Sequence, residues 1–134
     1  VKLEIGALAS RAKTITDADI LAFAQASGDY NPIHLDDAYA ARSQFGRRIA
    51  HGMLTASLVS AVLGNDLPGP GSVYLGQDLK FKAPVYVDDT ITATVELIKY
   101  RPERRIATFR TTCTKQDGTL VLEGEAVVIA PQDS

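Results

Sequence analysis

Between residues 16 and 28 the apolar positions recur at helical spacing, with Ile20, Phe23 and Ala24 on one face and Ser27 behind them. Thr16-Asp17-Ala18-Asp19 has the form of a capping box with Asp in place of Glu, and Gly28 stands where the helix should stop. The pattern predicts a helix of about three turns. Asp29-Tyr30-Asn31-Pro32-Ile33 is turn chemistry: Pro32 removes a backbone donor and biases Asn31 away from the helical region. Residues 36 to 42 restart a short helix with acids in its first turn, and Gly46 is placed to cap it.

From residue 52 to residue 63 the chain is apolar nearly all round, which predicts a helix buried on most faces. Gly64 and the Pro68-Gly69-Pro70-Gly71 cluster end helical structure. Residues 72 to 82, 90 to 100, 105 to 115 and 119 to 129 are rich in Val, Ile, Thr and Tyr and read as strands, with residues 7 to 15 as a further one. Asp117-Gly118 favours a tight hairpin turn, and residues 101 to 104 turn the preceding pair. One buried helix and a run of hairpins call for an α+β domain in which an antiparallel sheet curls around the helix.

Composition narrows the picture. The 134 residues suit a single domain spanning positions 1 to 134. Fourteen Lys and Arg against sixteen Asp and Glu give a charge of -2, without the basic excess that nucleic-acid binding requires. No apolar run approaches the length that spans a bilayer, so no membrane partner is expected. Cys113 is the only cysteine, which rules out an intrachain disulfide and fits a cytoplasmic location. The chain does not begin with Met, and a removed targeting segment would leave no trace in it.

Two places could carry chemistry. Asp29 and His34 stand five residues apart across a Pro-stiffened turn that could aim a carboxylate and an imidazole at one water, the division of labour that general acid and base catalysis needs. Spacing alone equally allows an Asp that bonds nearby backbone. His51-Gly52 opens the buried helix, and a helix N-terminus offers free N–H groups to a developing oxyanion; a glycine that merely permits close packing would look the same. His34, Asp36 and His51 lack the repeated close spacing of zinc ligands, so no metal is expected. Cys113 alternates with its neighbours as a packed thiol.

The run Gly28-Asp29-Tyr30-Asn31-Pro32-Ile33-His34 resembles the signature of the MaoC-like, or type 2, enoyl-CoA hydratases. His51-Gly52-Met53, Ser57 to Ser60, Tyr74-Leu75-Gly76-Gln77, Phe81-Lys82-Ala83-Pro84-Val85 and Gly124-Glu125-Ala126 follow in the right order, so the similarity covers nearly the whole chain. At this length it resembles especially the short (R)-specific hydratases that feed polyhydroxyalkanoate synthesis.

The resemblance implies a hot-dog fold, a homodimer and hydration of a trans-2-enoyl-CoA thioester to the (R)-3-hydroxyacyl product. It makes Asp29 and His34 the catalytic pair and the Gly52 N–H the donor to the thioester oxygen. Asn31 matches the residue that supports the catalytic turn, and Ser60 matches a polar position near the active site. No cofactor is implied, since coenzyme A is part of the substrate. Arg42, Arg47, Arg48, Lys80, Lys82, Arg101, Arg104 and Arg105 are available for its phosphates, with none singled out. The alternatives are a dehydratase acting on acyl carrier protein, a hot-dog thioesterase and a binding module without turnover.

Overall fold

A computed structural model describes residues 3 to 132. Its elements run β1 (Leu8–Thr14), α1 (Asp17–Ser27), α2 (Pro32–Leu35), α3 (Asp37–Ala41), α4 (Gly52–Asn65), β2 (Val73–Gln77), β3 (Lys80–Phe81), β4 (Thr90–Arg101), β5 (Ile106–Lys115) and β6 (Leu120–Ile129). The strands form one antiparallel sheet of six in the order β1-β4-β5-β6-β2, with β3 also on β6. This is an α+β fold of the hot-dog kind: α4 lies across β1, β4 and β5, and the long strands curl over it.

The long strands pack as alternation dictates. In β4 the inward positions Ile91, Ala93, Val95 and Leu97 are fully buried, and β5 answers with Ala107, Phe109, Thr111 and Cys113. Leu54, Val59, Val62 and Leu63 of α4 fill the concave face. Phe109 of β5 is the largest fully buried side chain of this core. Ahead of the sheet, α1 begins on the expected box: Thr16 Oγ1 accepts from the Asp19 N–H at 3.1 Å, and the Asp19 carboxylate accepts from the Thr16 N–H at 2.9 Å. Gly28 closes it at φ +81°, in the left-handed region.

Four local expectations need correction. Residues 72 to 82 are not one strand but two: β2 carries a bulge between Tyr74 and Gly76, and the ladder on β6 is interrupted at Asp78 and Leu79 before β3 resumes it. There the Glu125 N–H donates to the Asp78 carboxylate at 2.8 Å, and a Cβ on Gly124 would fall 2.0 Å from the Asp78 carbonyl oxygen. The strand path thus requires glycine at 124.

The other three concern helices. Gly46 adopts φ +75° in a loop rather than capping α3, which ends at Ala41 with Arg42 as its cap. Pro32 does not simply exclude helix: it occupies the first position of the one-turn α2, where its missing N–H costs nothing. Finally, α4 is buried on one face only. Met53, Ser57, Ser60 and Gly64 are exposed, because the sheet covers only the side bearing Leu54, Val59 and Leu63.

Candidate active site

The turn after α1 is built by short side chains bonding to nearby backbone. Ser27 Oγ accepts from the Asp29 N–H at 3.1 Å and donates to the Phe23 carbonyl at 2.7 Å. One Asp29 carboxylate oxygen accepts from the Asn31 N–H, and the Asn31 side-chain oxygen accepts from the Ile33 N–H, each at 3.1 Å. Asn31 therefore caps α2 and supports the turn. Asp29 uses one oxygen for the turn and is exposed at the cleft, so backbone bonding and chemistry are compatible in one carboxylate.

α2 carries His34 inward until it is 8% exposed. Its Nδ1 lies 2.7 Å from the Ile49 carbonyl, an acceptor only, so Nδ1 carries the proton and Nε2 keeps its lone pair. Burial holds the imidazole below its ordinary value, outweighing the Ile49 hydrogen bond, and the neighbouring His51 acts in the same direction as burial. Arg48 holds the segment from behind. Its guanidinium pairs with Asp17 and Asp37 at 2.7 Å each and donates to the His34 carbonyl at 3.2 Å.

His51 comes from a third segment. It is 2% exposed, stacks on His34 at 3.9 Å and 28°, and places Nε2 3.0 Å from the Asp29 carbonyl. Asp29, His34 and His51 each bring one carboxylate oxygen or ring nitrogen within 4.8 Å of the others. The two imidazoles are stacked, and a backbone carbonyl engages one nitrogen of each ring. The separation suits one water hydrogen-bonded to both the Asp29 carboxylate and His34, at about 2.8 Å from each.

Gly52 follows at the first position of α4. His51 makes no side-chain cap, which leaves the first N–H groups of the helix open at the cleft wall. Asp29, His34, His51 and Gly52 line one cleft of about 560 Å³, walled otherwise by Phe45, Ile49, Met53, Thr55, Phe81 to Val85 and Val121. The ring of Phe81 closes over Gly52, where a Cβ would meet it at 2.8 Å. The structure thus combines two acceptors for a water with a positive helix end, inside a largely apolar cleft.

Ser60 is not part of this group. It is exposed about two turns along α4 and lines a second depression with Phe23, Met53, Ser57, Tyr74 and Leu75. Of the eight basic residues named from the sequence, Lys82 alone lines the cleft, paired with Glu123 at 3.6 Å. Cys113 is fully buried, and burial pushes its thiol up to about 12, so it is packing. In the sequence the His51 side chain stands out only as a candidate metal ligand. The signal for its place in this site is an imidazole at a helix N-cap, a position that favours Ser, Thr, Asp or Asn.

The tautomer of His34 has a consequence for pH. Protonation at Nε2 would turn the acceptor facing the water into a donor. Since burial depresses the pKa, kcat/KM should stay level near neutrality and fall only as pH drops below the ordinary imidazole value of about 6.5. An acid limb centred above pH 7 would contradict this assignment.

Comparison with known proteins agrees with the geometry. An (R)-specific enoyl-CoA hydratase of Rhodospirillum rubrum is 55% identical over 126 residues, covering 94% of this chain and 87% of that protein. The solved structure of an (R)-hydratase from A. caviae involved in PHA biosynthesis superposes with a TM-score of 0.93 at 51% identity, over 96% of this chain and 98% of that one. A mitochondrial 3-hydroxyacyl-[acyl-carrier-protein] dehydratase of Solanum lycopersicum is 37% identical, covering 96% of this chain and 78% of that protein. Residues 4 to 118 match the model of the MaoC like domain, and the chain belongs to that family.

Proposed function

We propose that this protein is an (R)-specific enoyl-CoA hydratase, a hydro-lyase that reversibly adds water to a trans-2-enoyl-CoA. The observation that carries the proposal is the convergence of the Asp29 carboxylate and the His34 imidazole within 4.8 Å, in a cleft that also opens onto the N-terminus of α4. The 55% identity to the R. rubrum hydratase supports the same reaction.

Asp29 acts as the base. The water donates one hydrogen to Asp29 and the other to His34 Nε2, which leaves an oxygen lone pair free to attack C3. As the C3–O bond forms, the π electrons move toward C2 and onto the thioester oxygen, and the Gly52 N–H stabilises that enolate. The proton removed from the water is returned to C2, which completes the addition and restores the Asp29 carboxylate. No metal or further cofactor enters this scheme, and coenzyme A arrives and leaves with the acyl group.

Turnover of crotonyl-CoA against the same acyl chain on acyl carrier protein tests the substrate. A higher kcat/KM on the CoA thioester is expected. A clear preference for the carrier thioester would instead favour a dehydratase, the activity named for the tomato relative.

A homodimer is part of the same proposal. Met53 of α4, 56% exposed, lines one depression with Tyr74 and Leu75 of the edge strand β2, 40% and 53% exposed. Exposed apolar side chains beside an open strand edge suit pairing with a second copy. Sedimentation at micromolar concentration should give twice the chain mass, and a monomer would refute it. We place the enzyme in the cytoplasm, with supply of hydroxyacyl units for polyhydroxyalkanoate as its role; the unpaired Cys113 and the hydratase of PHA biosynthesis support these readings.

A further inference from the structure

We propose that His51 is a positioning residue for the hydration, acting through the hydrogen bond that its Nε2–H donates to the Asp29 carbonyl. The inference rests on Asp29 and His34 being the catalytic pair. His51 touches all three parts of the site. Its Nε2 is 3.0 Å from the Asp29 carbonyl oxygen, its ring stacks on His34 at 3.9 Å, and the next residue is Gly52. These parts come from segments far apart in sequence, with 22 positions between Asp29 and His51.

The ring is placed as a fixed strut. Phe23 packs at 4.9 Å and 55°, while His34 is stacked at 28°, and only 2% of His51 is exposed. A backbone carbonyl only accepts, so the proton must be on Nε2. Nδ1 is buried without a hydrogen-bond partner, so a proton there would be a buried donor with no acceptor.

A purely structural role at this position would be to cap α4, yet the side chain makes no cap bond. It reaches instead to the turn that carries the base. That turn is otherwise tied to itself through Ser27, Asn31 and Ile33, and at its far end to Ile49, whose N–H donates to the Ile33 carbonyl at 3.3 Å. The His51 bond joins the Asp29 end of the turn directly to the start of α4, and so sets the distance from the attacking water to the Gly52 N–H. Misplacement of reacting groups by about 1 Å can cost on the order of a hundredfold in rate.

The test compares His51→Phe, which keeps a ring of similar shape but cannot donate, with His51→Gln, whose amide N–H can reach the Asp29 carbonyl. With crotonyl-CoA, His51→Phe should lower kcat about 30- to 100-fold with KM within about threefold, because only 2% of His51 is exposed to the cleft. His51→Gln should restore kcat to within about tenfold of wild type. A kcat for His51→Phe within threefold of wild type, or equal losses in both variants, would overturn the proposal.

A measurement on the wild type guards against variants that fail to fold. Long-range ¹H–¹⁵N correlations should show His51 protonated at Nε2, and protonation at Nδ1 would overturn the assignment. Asp29→Asn assayed alongside separates the two ideas. Its turnover tests the base, whereas the contrast between Phe and Gln tests how the base is held.

Discussion

Asp29→Asn should leave the protein folded and remove roughly 10²–10⁴ of kcat on crotonyl-CoA. The amide oxygen of asparagine can still accept the Asn31 N–H, which the carboxylate accepts at 3.1 Å, so the turn survives. The NH₂ group then points into the cleft and puts a donor where the water needs an acceptor. Volume barely changes, and Asp29 lies at the cleft surface rather than in the core. The thermal midpoint should therefore stay within a few degrees of wild type. Turnover near wild type would remove Asp29 from the chemistry; lost turnover with a collapsed midpoint would mean that the turn had failed.

The second large effect concerns a backbone group. Gly52→Pro deletes the N–H at the first position of α4, where proline is tolerated and often preferred. His51 already has φ -59° and ψ 134°, the extended conformation that a residue before proline adopts. The new Cβ meets the Phe81 ring at 2.8 Å, but that ring is the far end of a side chain 51% exposed and can swing aside. Gly52→Ala makes the same contact and keeps the N–H, so it isolates the steric effect. Kinetic constants for the pair should show Gly52→Pro about 10²–10³ below Gly52→Ala in kcat, the typical cost of one oxyanion donor. Equal rates would move the thioester oxygen away from Gly52.

Much of this architecture is legible because it is local. Thr16 and Asp19 announce the start of α1, Gly28 its end, and Asp117-Gly118 the last hairpin, since each signal and its hydrogen bonds lie within a few residues. The alternation in β4 is equally plain because one face is buried at every second position from Ile91 to Leu97. What escapes the sequence depends on distant partners. At the break between β2 and β3, Asp78 packs against Gly124, 46 positions later. The outer face of α4 reads as buried because Met53 and its small neighbours carry no mark of the side on which the sheet lies.

The candidate site divides in the same way. Asp29, Asn31 and His34 share one turn, so their spacing brings them forward together. That Gly52 joins them depends on how α4 docks, and the resemblance supplied it where periodicity could not. Ser60 came from the same resemblance, but in a single chain it faces the neighbouring depression. The His51 contact with Asp29 had no local signal beyond an unusual N-cap residue, since it forms only when the turn and the start of α4 meet.

In the proposed mechanism a water held by Asp29 and His34 adds to C3 of an enoyl-CoA from one face. The most direct test follows loss of the enoyl-thioester absorbance with crotonyl-CoA and then determines the configuration of the product. Loss of absorbance with (R)-3-hydroxybutyryl-CoA as the product is expected. Unchanged absorbance, or the (S) product, would contradict it.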